Sequence, residues 1–296
     1  MKQMTDAATM YSSAEISSEL GSAGNGRIVV VGKGGVGKST ITALLSRLLA
    51  GRGLDVLAVD ADEQMNLAAT LGLDLAAILH LTPLAASRDY ISEKTGALAG
   101  EPGGMLRLNP DVRDVVERVA FPAFPNLHLL VMGGVASAGS GCLCPETSLL
   151  SATVRTMGLL ENSIVLMDTH AGLEHFGRSL ARGFDQALVV VEPSYNAVDV
   201  GLRSALLAHE LGINSLHLVV NRVRSDADLS RVNSYLEAGP AGITFTSKCA
   251  LPYDELALSA EPSVEGLLEG SPLALAATEL IKAVLSDPSK TVLEAR

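Results

Sequence analysis

The chain has 296 residues, 48% hydrophobic and 19% charged, with a formal net charge of −11. That is a globular composition, long enough to bury a sizeable core. Its acidic surplus argues against a general affinity for nucleic acid or anionic lipid, both of which reward lysine and arginine. Three cysteines do not make a secreted disulfide framework. No run reaches the roughly 18 apolar residues of a membrane helix, and no early segment joins a basic start to an apolar stretch as a signal peptide does. The reading is a cytoplasmic protein with neither nucleic acid nor membrane as partner.

Residues 1–26 are rich in Ser, Ala and Gly without firm periodicity, and are expected to form a flexible tail. From Arg27 a rhythm sets in. Apolar runs occur at RIVVV (27–31), DVLAVD (55–60), LHLLVM (127–132), SIVLMD (163–168), QALVVVE (186–192), LHLVVN (216–221) and SKCAL (247–251). Continuous β-branched runs of this length predict strands buried on both faces. Helical patterns lie between and after them at 39–53, 148–158, 197–212, 227–239 and 272–285. Strand alternating with helix means right-handed crossovers and a mostly parallel sheet flanked by helices, an α/β fold. Nothing cuts residues 27–286, read as one domain, and 287–296 are a C-terminal tail.

The sharpest motif is GKGGVGKST, Gly32 to Thr40, which fits G-x-x-x-x-G-K-[ST] between a predicted strand and a predicted helix. The backbone N–H groups of Gly34, Gly35, Val36 and Gly37, continuing through Lys38, Ser39 and Thr40, can form an anion nest around phosphates. Lys38 would reach the β- and γ-phosphates, and the Ser39 hydroxyl would ligate Mg²⁺. The helix starting near Lys38 turns its positive end toward them.

Two strands end in carboxylates, where open α/β sheets bind ligands. Asp60 and Asp62 follow DVLAV, and Asp168 closes SIVLM. Phosphoryl transfer to water needs the metal held and a water aimed in line. Asp60 suits the Mg²⁺ shell and Asp62 suits orienting water, although Asp62 could instead cap the next helix.

With Lys33, the loop reads K-G-G-x-G-K-[ST] and resembles the deviant Walker A of the dimeric P-loop NTPases that include MinD, ParA, the arsenite-pump ATPase and the nitrogenase iron protein. The resemblance implies a homodimer that hydrolyses ATP with Mg²⁺. It also implies that Lys33 reaches across to the partner's nucleotide when two protomers close. Asp168 with the following Thr169-His170-Ala171-Gly172 resembles that family's Walker B and switch II, which implies a Mg²⁺-bound water at Asp168. Asn221 resembles the family asparagine that hydrogen-bonds adenine; as an Asn it also suits a turn. Where the family usually has proline after its D-x-D, this chain has Glu63.

GSGCLCPETS holds Cys142 and Cys144, one residue apart. So short a gap strains a disulfide between them, but two thiolates can chelate one soft or borderline metal. A tetrahedral thiolate site wants four ligands, and the chain offers only Cys249 besides, inside a predicted strand. Two copies of the loop meeting on a twofold axis would supply four sulfurs, so the pair reads as half of a shared site. Glycine on both sides predicts an exposed loop.

The segments GSGCLCPETS, MDTHAGLEHFGRSLARGFD, VVVEPS, VNRV and LPYDE, in this order after the phosphate loop, look like the CooC-type nickel-insertion ATPases that mature carbon monoxide dehydrogenase. The resemblance implies Ni²⁺ or Zn²⁺ on Cys142 and Cys144, with delivery of nickel to a nickel-iron-sulfur client enzyme. His170 and His175 stand beside the switch as possible further ligands. Two alternatives stay open. One is an ATPase of the same family holding an iron–sulfur cluster between protomers. The other is a positioning protein that polymerises on DNA or membrane, for which the charge-balanced C-terminal segment offers no basic face.

Overall fold

The computed structural model describes residues 26–62, 64–96, 107, 110–133, 144–157, 162–170, 183–240 and 242–286. These form a sheet of eight strands, numbered along the chain: β1 (Gly26–Gly32), β2 (Asp55–Ala61), β3 (Phe121–Phe124), β4 (Leu127–Val131), β5 (Ser163–Thr169), β6 (Gln186–Val191), β7 (Ser215–Val223) and β8 (Ser247–Pro252). Their spatial order is β3-β4-β2-β5-β1-β6-β7-β8. All neighbours pair parallel except β3 and β4. The seven predicted strands are therefore present, each within two residues of its expected ends.

Strand β3 was not predicted. Its sequence is FPAF, and a proline confines a short strand to a sheet edge, where the missing N–H costs no ladder bond.

The helices are α1 (Lys38–Ala50), α2 (Leu67–Leu71), α3 (Leu75–Leu79), α4 (Arg88–Thr95), α5 (Val115–Arg118), α6 (Cys144–Met157), α7 (Tyr195–Glu210), α8 (Asp226–Glu237), α9 (Glu255–Ser259) and α10 (Pro272–Leu285). Side chains alternate across the central strands. Ile28 and Val30 of β1 join α1 and α10 through Leu44, Leu45, Leu280 and Ile281. Val29 and Val31 join α6 and α7 through Leu149, Leu150, Val198 and Leu202 on the opposite face. Two apolar layers thus enclose the sheet, which explains why its strands read as unbroken hydrophobic runs.

Helix α6 begins at Cys144 rather than at the expected residue 148. Pro145 stands second in it, where the absent N–H would have no intrahelical partner. Cys144 therefore opens a helix, which corrects the expectation of a loop at that residue. Cys142 and the rest of the glycine-flanked segment lie outside the described residues. No helix among those described is long and apolar enough to cross a membrane.

Candidate active site

Strand β1 is the switch point of the sheet. Its chain crosses to β2 on one side, while β6 follows on the other, so the crevice above its carboxyl end is where such a fold binds ligands. The segment leaving it is the glycine motif. A Cβ at Gly32 would stand 2.2 Å from the Val190 carbonyl oxygen of the neighbouring strand, so only glycine lets the loop start there. Gly37, at φ +97°, caps α1, whose first residue is Lys38. The predicted strand–loop–helix unit is formed as expected.

Lys38 is 7% exposed, and its Nζ donates to the Lys33 carbonyl at 3.2 Å. Burial lowers its pKa, while Asp168 and Asp62 pull it back up. The ammonium is thus curled into the loop, within the field of both carboxylates.

The Ser39 hydroxyl hydrogen-bonds the Asp168 carboxylate. Asp168 is 1% exposed, and its Oδ1 has no hydrogen-bond partner. Burial holds its pKa up at about 6, against the pull of Ser39 and Lys38. The next residue, Thr169, donates its hydroxyl to the Val30 carbonyl at 2.7 Å and pins the end of β5 to β1.

Asp60 is fully buried. Its Oδ1 accepts from the Asp62 N–H at 3.1 Å and its Oδ2 from the Leu67 N–H at 3.0 Å. The helix after this strand is therefore capped by Asp60 and not by Asp62. Burial raises the Asp60 pKa to about 7, against those N–H bonds, and Asp168 adds to the rise. With both oxygens engaged, Asp60 can reach a metal through an intervening water. Asp62 accepts from the Gln64 N–H at 2.9 Å; Glu63 lies outside the described residues.

Asn221 is 7% exposed at the end of β7. Its Nδ2 donates to the Val36 carbonyl at 2.8 Å, and its Oδ1 accepts from the Arg222 N–H at 2.9 Å. Beyond it opens a cleft of about 520 Å³ that starts at Gly37 and Thr40 and runs to Tyr253 and Asp254. The Arg224 guanidinium lies 3.7 Å from the centre of the Tyr253 ring and closes one wall. Neither Arg224 nor Tyr253 was singled out from sequence. Arg224 directly follows VNRV and Tyr253 lies within LPYDE, but stacking between the ends of two strands leaves no local signal.

The metal half of the expectation is less fully placed. Cys142, Gly172 and His175 lie outside the described residues, and of Cys144 only the helical backbone is described. His170 is exposed at the end of β5. Cys249 is half-buried on the edge strand β8, with its thiol pKa raised by burial. One carboxyl escaped the sequence reading. Glu146, in the first turn of α6, is 4% exposed, its Oε2 has no hydrogen-bond partner, and burial raises its pKa. Among the described residues no group of three or more His, Cys, Asp or Glu is placed to hold a metal ion. His217 is fully buried between the hydroxyls of Ser215 and Ser247.

Residues 28–261 match the family described as the CobQ/CobB/MinD/ParA nucleotide binding domain. The chain is 37% identical over 203 residues to the carbon monoxide dehydrogenase accessory protein CooC of Rhodospirillum rubrum, covering 69% of this chain and 76% of that one. It is 36% identical over 236 residues to an uncharacterized ATP-binding protein of Methanocaldococcus jannaschii, covering 79% and 88%. Among solved structures it resembles the cell division ATPase MinD of Pyrococcus furiosus, with a TM-score of 0.58 at 23% identity over 88% and 98% of the two chains. MinD of Pyrococcus horikoshii in complex with Mg-ADP gives a TM-score of 0.57 at 19% identity, over 91% and 98%.

Proposed function

The chain belongs to the CobQ/CobB/MinD/ParA family of nucleotide-binding ATPases, and from that premise we propose that it is a dimeric metallochaperone that uses ATP to hold and release nickel. Two protomers would close face to face on ATP. Each would offer Cys142 and Cys144, and the ion they share, Ni²⁺ or Zn²⁺, would pass to a nickel-iron-sulfur client such as carbon monoxide dehydrogenase. The observation that carries this reading is the order along one chain: a complete phosphate loop, then C-x-C leading into α6, which runs directly to the strand bearing Asp168. The 37% identity to CooC supports it.

The donor set fits Mg²⁺. A buried carboxylate oxygen of Asp168 without a hydrogen-bond partner, beside the Ser39 hydroxyl, is a donor that a hard cation satisfies. When bound, Mg²⁺ neutralises charge on the triphosphate. Ser39 would hold it directly, and Asp60 and Asp168 mainly through water. Lys38 would leave the Lys33 carbonyl for the phosphates, Asp62 would orient the attacking water, and Lys33 would act on the partner's nucleotide.

The test is titration of the metal-free protein with Ni²⁺ and Zn²⁺, with molecular size followed in parallel. One metal per two chains, with nickel promoting pairing, is expected of the wild type, and Cys142→Ser should fail in both. One metal held per isolated monomer refutes the shared site. A brown protein with acid-labile sulfide after anaerobic purification would replace nickel by an iron–sulfur cluster.

A further inference from the structure

We infer that Asn221 is a positioning residue for the phosphate loop, turning the Gly37 N–H toward the triphosphate by holding the Val36 carbonyl on the opposite side. The two residues lie 185 positions apart, yet the Asn221 Nδ2 donates to Val36 O at 2.8 Å. A peptide unit is planar and trans, so a carbonyl drawn one way turns the next residue's N–H the other way. The carbonyl bonded to Asn221 belongs to the peptide that carries the Gly37 N–H, a member of the anion nest.

Four further features lock this arrangement. The carboxamide cannot rotate freely, because its Oδ1 accepts from the Arg222 N–H at 2.9 Å. Arg222 sits at φ +59°, a left-handed conformation that costs a non-glycine residue on the order of 1 kcal/mol or more. Its guanidinium reaches Glu192 at 3.3 Å, tying the turn to the end of β6. On the loop side, a Cβ at Gly37 would stand 2.5 Å from the Asn221 Nδ2. Close approach to Asn221 therefore demands glycine at 37, in addition to the positive φ. An amide nitrogen has two hydrogens, so the bond to Val36 leaves a contact with the nucleotide base open.

The role is separable from any contact with the base, because inorganic tripolyphosphate has none. The experiment compares binding of ATP and of tripolyphosphate to the full chain, as wild type, Asn221→Ala and Arg224→Ala. Loss of one buried hydrogen bond predicts about a tenfold weakening. In Asn221→Ala it should appear for tripolyphosphate as well as for ATP, with the Gly37 amide resonance displaced in the folded protein. Arg224→Ala, on the wall of the cleft, should weaken ATP and spare tripolyphosphate. Weakened ATP with unchanged tripolyphosphate in Asn221→Ala overturns the proposal and leaves a base contact alone.

Should that variant not fold, the wild type still decides. One Asn221 side-chain amide proton should be protected from exchange in the nucleotide-free protein and remain so with tripolyphosphate bound. Rapid exchange in both states overturns the inference. It rests on the ATPase site and is independent of the metal carried.

Discussion

Asp60 and Asp168 are partners on one rung of the ladder between β2 and β5. Two carboxylates thus stand side by side at the carboxyl end of a buried sheet, each nearly or fully excluded from water. Such a pair suits a cation or a proton and little else.

Its pH dependence follows. Burial lifts Asp60 from an ordinary 3.8 to about 7 and Asp168 to about 6. A carboxyl whose pKa rises on folding binds its proton more tightly in the folded state. Its contribution to stability is complete at acid pH and drains away as pH climbs from about 4 through 7. In chelator-treated protein, the stability of Asp60→Asn relative to wild type should therefore improve by on the order of 2–3 kcal/mol between pH 5 and pH 8. Mg²⁺ with nucleotide should shrink that change. Denaturant titrations at several pH values check it, and a gap constant with pH would contradict the assignment.

The two loop lysines should separate binding from pairing. Lys38→Ala removes a buried ammonium in the field of Asp168 and Asp62, and should weaken ATP binding by roughly 100-fold. Lys33→Ala should keep monomer binding within a few fold, yet lose roughly 100-fold in hydrolysis together with ATP-dependent pairing. Nucleotide titration beside sedimentation distinguishes them, and an Lys33→Ala variant that hydrolyses normally excludes a contact across the dimer.

The thiols should divide by position. Cys142→Ser and Cys144→Ser should each abolish metal-dependent pairing, whereas Cys249→Ser, on the far edge strand, should bind metal as the wild type does. Glu146→Gln removes the charge from a buried carboxyl whose Oε2 has no hydrogen-bond partner, and should stabilise the metal-free protein by about 1 kcal/mol at pH 8. Metal binding followed by thiolate absorbance, and chemical denaturation, provide the readouts.

Gly201 should resist replacement although it lies within α7. A Cβ there would stand 2.5 Å from Cγ1 of Val191 on β6. Alanine would gain about 1 kcal/mol of helix propensity but overpack a full core at a cost of about 1–3 kcal/mol. The net expectation is a loss of stability, and a variant more stable than wild type in denaturant would show that helix and sheet have room to part.

Much of the fold was legible because the physics behind it is local. Buried parallel strands need unbroken apolar runs, and their ends fell where those runs stop. The edge strand FPAF and the short helices α2, α3, α5 and α9 were not legible, since four or five residues hold too few repeats to establish a period. The start of α6 was missed because glycine and proline flank the cysteines and suggested a loop, although a proline early in a helix is tolerated. In the site, the phosphate loop announced itself through consecutive backbone. Which aspartate caps α2, and what Asn221 does with its amide, were hidden in contacts made across strands.

The chain by itself determined a phosphate cradle, its lysine and serine, the strand-end carboxylates and a pair of neighbouring thiols. Each of these is a local feature, carried by residues within a few positions of one another, where backbone geometry sets its chemistry. Only the tertiary structure decided that Asp60 shares a rung with Asp168, that Asp168 is left with an unpaired oxygen, and that Asn221 grips Val36. Those facts depend on which strands become neighbours, and strand order is set by the packing of two apolar layers over the whole chain rather than by any local stretch of it.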